Sequence, residues 1–265
     1  MKRKMLALVL TLALVASLAT LTACKKKDAG SDLAYVKSQG KLVIGITEFE
    51  PMDYTDADGN WIGFDADLAK AFAESLGVEA KFQVIDWNQK IGELEGKTID
   101  VVWNGMTLTD DVKAAMECSN PYFNNAQVVI VKADKATDYQ TAESVKGLQF
   151  AVEDGSAGME QVEALGASYT PVLDQATALL EVSSGTADAA VIDYLMATAS
   201  VGEGTSYPDL TYTAELNSEE YGVGFRKGSD LAAELNAFFK AAYADGTMQK
   251  IADSYGIGDK LIEQK

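Results

Sequence analysis

Asp65-Ala-Asp-Leu-Ala-Lys-Ala-Phe-Ala-Glu-Ser-Leu76, closed by Gly77 and followed by Ala80-Lys-Phe-Gln-Val-Ile85, decides the fold class. Leu68, Ala69, Phe72 and Leu76 share one helical face. Asp65 stands at the start as an N-cap, and Gly77 suits the left-handed conformation that ends a helix. The apolar run after it is short, as is Leu42–Ile46 before it, so strand, helix and strand succeed one another. The same alternation runs outward along the chain. It predicts strands at Ile99–Trp103, Gln127–Val131, Gln149–Val152, Ala189–Ile192 and Tyr221–Phe225. Helices are expected at Gln89–Leu94, Asp110–Met116, Ala157–Ala164, Gln175–Val182, Leu195–Ser200, Asp230–Tyr243 and Met248–Tyr255, with Thr109 and Ser229 at N-cap positions. Apolar runs of four to seven residues between helical periods mark parallel strands buried on both faces by crossover helices.

The chain opens with Lys2, Arg3 and Lys4, then an apolar stretch from Met5 to Thr20, shorter than the ~20 residues of a membrane span. This is the pattern of a secretory leader over residues 1–23. Leu21-Thr22-Ala23-Cys24 resembles a bacterial lipobox, which makes Cys24 the lipidated first residue of the mature chain, held on the outer face of the cell membrane. Residues 24–40 are expected to form a tether, whose Lys25, Lys26 and Lys27 add attraction to anionic headgroups. With Cys24 lipidated, Cys118 has no partner for an intramolecular disulfide.

The sequence carries 22 basic and 40 acidic side chains, and loss of the three basic residues in the leader moves the net charge from −18 to −21. That balance argues against a nucleic-acid partner; it fits a solvated acidic surface that keeps an exported protein soluble and, less strongly, a cationic solute. About 235 residues remain for folding, more than the ~100–150 of a typical domain, so two lobes are expected. Asp56-Ala-Asp-Gly-Asn60 lacks the spacing and the closing Glu of a calcium loop and reads as a hairpin turn with Gly59 at positive φ. An internal echo supports the two lobes: Gly96…Asp100-Val-Val-Trp-Asn104 and Gly185…Asp188-Ala-Ala-Val-Ile-Asp193 each join glycine, aspartate, an apolar strand and a polar residue. It places Asn104 and Asp193 at carboxyl ends of equivalent strands, where open α/β sheets gather ligands.

Gly45-Ile-Thr-Glu-Phe-Glu-Pro-Met-Asp-Tyr54, Gly63-Phe-Asp-Ala-Asp-Leu-Ala-Lys70, Asn104-Gly-Met-Thr-Leu-Thr109, Ser119-Asn-Pro-Tyr-Phe123 and Val152-Glu-Asp-Gly-Ser156 together resemble the extracellular solute-binding proteins of polar amino-acid ABC importers. The likeness runs from about Leu42 to Ile257. It implies the type II periplasmic-binding fold: two α/β lobes, a two-segment hinge and a ligand cleft between them. Lobe 1 would comprise residues 41–126 and 223–265, lobe 2 residues 132–219, and the hinge residues 127–131 and 220–222. Phe49 and Trp87 would then wall the ligand with aromatic faces, or alternatively pack in the core. Asn104, Gly105 and Thr107 would stand at the site, the last two holding an α-carboxylate, and Asp193 would pair with an α-ammonium. Gly155 and Ser156 would offer backbone N–H groups, and Glu153 would enter the cleft beside them. Partners implied are an amino acid or a cationic, amine-bearing solute and an ABC permease, with the protein a monomer. No cofactor and no metal are expected.

The resemblance departs from its pattern at Val112, where relatives carry an arginine that grips the carboxylate; also at Ile46 and at Cys118. An apolar side chain supplies none of arginine's five donors. Either a cation such as Lys113 replaces it, from about a hundred degrees round the helix, or the ligand has no carboxylate there. Two other classes remain open at this point. One is a dehydratase-like enzyme with Glu153 as acid or base, although the chain has no histidine and no Gly-x-Ser-x-Gly elbow. The other is a surface adhesin or signalling receptor.

Overall fold

A computed structural model describes residues 30–265, so the leader, Cys24 and the tether lysines lie outside the described residues. The first element is a helix, α1 (Asp32–Gln39), capped by the Ser31 hydroxyl and closed by Gly40. This corrects the tether expected over residues 24–40. Val36 is fully buried and Arg226 grips Asp32, so residues 32–39 belong to the folded body. Strand β1 (Lys41–Ile46) leads to a hairpin of β2 (Tyr54–Thr55) and β3 (Trp61–Ile62). At its tip Asp56 Oδ1 accepts the N–H groups of Asp58 and Asn60, and Gly59 has φ +80°, the turn expected there.

Helix α2 (Phe64–Leu76) buries Leu68, Ala69 and Phe72 and ends at Gly77, φ +74°. It begins one residue before Asp65, so Asp65 lies inside the first turn and does not cap it; the side chain is fully buried and bonds elsewhere. Next come β4 (Glu79–Val84), a tight 3-10 turn (Trp87–Gln89), α3 (Lys90–Glu95) and β5 (Val101–Thr107). Helix α4 (Asp110–Ala115), capped by Thr109, and the short strands β6 (Glu117–Cys118) and β7 (Phe123–Asn125) complete this part.

The chain then crosses into a second unit: β8 (Gln127–Lys132), α5 (Ala142–Val145), β9 (Gln149–Glu153), α6 (Ala157–Leu165), β10 (Ser168–Val172), α7 (Gln175–Ser184), β11 (Ala189–Asp193), α8 (Tyr194–Ser200) and β12 (Leu210–Glu215). It returns on β13 (Glu219–Phe225) and finishes with α9 (Leu231–Ala244) and α10 (Thr247–Ser254). Two sheets result. The first has the order β4-β1-β5-β13-β6 with β7 beside β13, and the second β10-β9-β11-β8-β12.

Within each sheet the three strands flanked by helices are parallel: β1 with β4 and β5, β9 with β10 and β11. The crossing strands β8 and β13 run antiparallel to β11 and β5, against the expectation of parallel strands for Gln127–Val131 and Tyr221–Phe225. The reason is local. Both strands enter directly from the other sheet, β8 from β7 across Ala126 alone and β13 from β12 across residues 216–218, so neither is reached through the crossover helix that a parallel neighbour needs.

The internal echo has a structural counterpart. Asp100 Oδ2 accepts the Val43 N–H and Asp188 Oδ2 the Gln149 N–H, both at 3.0 Å, so each aspartate locks the entrance of a central strand to its neighbour. Aligned on these aspartates, Asp193 corresponds to Gly105 and not to Asn104, because the second segment has one more residue.

Candidate functional site

The carboxyl ends of β5, β9 and β11 all contribute to the wall of one cavity of about 300 Å³. Asn104, Gly105 and Thr107 come from the first sheet, Glu153 and Asp193 from the second. Trp87 and Lys90 enter from the turn after β4, and Gly155 and Ser156 from the loop into α6. Of the nine residues expected at the ligand, eight share this cavity. Phe49 is the one that does not. It is 2% exposed, lies edge-on to Tyr221, and sits directly behind Gly105, where a Cβ would come within 2.5 Å of its ring. Phe49 therefore shapes the floor from one layer back, which is the packing alternative of the sequence reading. Gly105 itself needs φ +55° and this close approach, two reasons for glycine there.

Asp193 is the hub of the second sheet's wall. Its Oδ1 accepts from the Asn125 amide, from Gln127 Nε2 at 3.1 Å and from the Tyr221 hydroxyl at 2.6 Å, while Oδ2 accepts from the Gln175 amide. It makes no capping bond to the helix that it precedes, α8. One acceptor position on Oδ2 stays free. Burial, reinforced by the negative charge of Glu219, raises its pKa to about 7.

Glu219 had no part in the sequence reading. Its Oε1 accepts from Thr107, Asn125 and Gln127 at 2.7–2.9 Å, tying both crossing segments to the end of β5. Because the Thr107 hydroxyl donates to Glu219, it is already committed. So is the Gly105 N–H, which donates to Asp65 Oδ2 at 2.6 Å; the Tyr122 hydroxyl binds the same oxygen at 2.7 Å. Asn104 is held by Thr47, its Oδ1 accepting the Thr47 N–H and its amide donating to the Thr47 hydroxyl.

Glu153 is 3% exposed, and among the described residues its Oε1 has no hydrogen-bond partner. Burial pushes its carboxyl well above the ordinary range, and the charge of Asp193 adds to the push; Lys90 and the Gln175 amide pull the other way. Lys90 is a second residue missed by the sequence reading. Its Nζ donates to the Gly155 carbonyl at 2.8 Å and to the Trp87 carbonyl at 3.2 Å, and stands 4.8 Å from the centre of the Trp87 ring. Burial lowers its pKa, opposed by Glu153 and the acidic residues around it. Lysine at the start of a short helix reads as a solvated charge in sequence, and only the fold shows it inside. Val112 lines the cavity as expected for its position, whereas Lys113 does not.

On α6 the Ser156 hydroxyl caps the helix by accepting the Met159 N–H at 3.1 Å. Across the cavity mouth the Asn88 amide donates to Asp154 at 2.8 Å, and Gly155 packs so close to Asn88 that a Cβ would meet its Cα at 3.0 Å. Among the described residues no cluster of side chains fit to hold a metal occurs, and no helix is long and apolar enough to cross a membrane.

Comparison with known proteins gives a consistent answer. The family model described as bacterial extracellular solute-binding proteins, family 3, matches residues 42–258. The arginine-binding extracellular protein ArtP of Bacillus subtilis (strain 168) is 30% identical over 249 residues, 91% of this chain and 94% of that protein. The L-cystine-binding protein TcyJ of Escherichia coli (strain K12) is 30% identical over 225 residues, 83% of this chain and 84% of that protein. Among solved structures, a mutant of ArgBP from T. maritima superposes with a TM-score of 0.79 at 33% identity, covering 84% of this chain and 98% of that one.

Proposed function

The chain belongs to the bacterial extracellular solute-binding proteins of family 3, and from that premise we propose that it captures an amino acid or a related small amine-bearing solute for an ABC importer. It is a binding protein and not an enzyme, as are the relatives named above. The observation that carries the reading is the cavity itself: Trp87, from the turn after β4, and Asn104, on β5, meet Glu153, on β9, and Asp193, on β11. A solute there touches both lobes, so it favours the arrangement in which they meet. The carboxylates of Glu153 and Asp193 face an ammonium or guanidinium group, and Trp87 gives the apolar wall. The family places the protein outside the cytoplasm. Anchoring through a lipid on Cys24 and transfer to a membrane permease complete the proposal.

A thermal-shift screen of amino acids, short peptides and amines, followed by calorimetry, tests it. A ligand that binds only the native state raises the melting temperature by mass action. The expected result is a subset of amine-bearing solutes that bind one to one and are recovered chemically unchanged. Absence of any binder in all three classes overturns the reading. For the anchor, Cys24→Ser should move the exported protein from the membrane fraction to the soluble one; retention in the membrane removes Cys24 from that role.

A further inference from the structure

We infer that the cavity takes an organic cation without a carboxylate, an amine or guanidine and not the corresponding amino acid. The inference rests on the reading that this cavity is the ligand site, and it follows from which polar groups around it are already engaged.

Five carboxylates line the cavity: Asp111, Glu160 and Glu163 at its exposed mouth, Glu153 and Asp193 buried inside. The cation on the wall is Lys90, and the Gly155 and Trp87 carbonyls take two of its three N–H groups. A ligand carboxylate would look for donors on the first sheet. The Gly105 N–H is spent on Asp65 and the Thr107 hydroxyl on Glu219. The apolar side chain of Val112 fills the neighbouring stretch of wall. The donors left over, such as the Ser156 hydroxyl, are neutral. A carboxylate placed here would lose its hydration beside five acidic side chains, two of them buried, against the single N–H that Lys90 has left, which is the costly arrangement for a buried ion.

The acceptors show the opposite imbalance. Among the described residues Glu153 Oε1, fully buried in the cavity wall, has no partner, and Asp193 Oδ2 keeps one open position. Unpartnered buried acceptors are expensive unless a donor arrives, and an ammonium or guanidinium brings several N–H groups together with the missing positive charge. Glu153 and Asp193 stand at the ends of the adjacent parallel strands β9 and β11, so one cationic group can meet both.

Matched pairs that differ only by a carboxylate provide the test. Calorimetry on the mature protein compares agmatine with arginine, cadaverine with lysine and putrescine with ornithine, with glutamine and cystine as neutral controls. At least one amine is expected to bind tenfold or more tightly than its parent amino acid. If every amino acid binds as well as its amine, or if only glutamine or cystine binds, the inference fails while solute capture stands. If none of the eight compounds binds, the inference falls, and the thermal-shift screen above decides capture separately.

Discussion

At the residue scale, Glu153 and Asp193 divide what a buried carboxylate can do. Asp193 gathers four protein donors and supports the architecture, whereas Glu153 leaves an oxygen open. Glu153→Gln should therefore leave the melting temperature unchanged or raise it, while weakening cation binding by at least about tenfold, the effect of losing one charge-assisted contact. Calorimetry showing unchanged affinity removes Glu153 from the site. The buried acids also set a pH dependence. Asp65 and Asp193 each have a pKa near 7 in the fold against an ordinary 3.8, raised first by burial. Between those values the native protein holds protons that the unfolded chain has released, so stability falls as pH rises through the window. Asp56, Asp230 and Asp245 are held below 3.8 and act only under more acidic conditions. Scanning calorimetry without ligand should give a melting temperature higher at about pH 5.5 than at about pH 8, by at least about 2–4 °C, the shift that ~1 kcal/mol produces in a chain of this size. A flat or rising profile contradicts the assignment. Cation affinity should move the other way, strengthening as Asp193 ionises. The sequence shows Glu153 and Asp193 because they follow apolar strand runs. Lys90, Glu219 and the inward turn of Asp65 stay hidden because their partners lie far along the chain, Gly155, Asn125 and Gly105 among them.

At the scale of elements, the strongly periodic helices and the strands buried on both faces were legible, since each repeats one clear pattern. The edge strands β10 and β12 were not. Tyr169 and Val172 are only half buried, Pro171 interrupts the run, and β12 alternates like any polar surface segment. Helix α1 looks like tether in sequence because two buried side chains, Asp32 and Val36, give too little periodicity in eight residues. What holds it is Arg226, whose Nε binds Asp32, Nη2 binds Asp100 at 3.1 Å and Nη1 donates to the Ile99 carbonyl at 2.8 Å. All three charged groups are about nine-tenths buried or more. Removing the cation strands two buried carboxylates, a loss of about 3–5 kcal/mol for a broken buried pair. Arg226→Ala should lower the melting temperature by roughly 6 °C or more on the same scale. It should also speed proteolysis near residues 30–40. A shift of less than about 2 °C would mean that α1 is held by its apolar contacts alone.

At the scale of the whole molecule, two crossing segments join the sheets on one side of the cavity and a small set of polar contacts closes the other. Glu219 fixes the hinge side through Thr107, Asn125 and Gln127. On the mouth side, Asn88 reaches Asp154 and Lys90 reaches the Gly155 carbonyl. The mouth contacts exist only when the lobes meet, so their free energy adds to ligand affinity, while contacts present in both arrangements add nothing. Asp154 is not part of the cavity wall, which separates closure from direct recognition. The Asn88–Asp154 hydrogen bond is exposed and is worth about 1 kcal/mol net, equivalent to about fivefold in affinity. Asp154→Ala should therefore weaken every ligand by about that factor without changing their order of preference. Solution scattering should show the wild-type particle contracting on addition of saturating ligand, and the variant contracting only at higher ligand concentration. Identical scattering with and without ligand, or a variant that discriminates among ligands differently, would mean that recognition and closure are not coupled through this mouth.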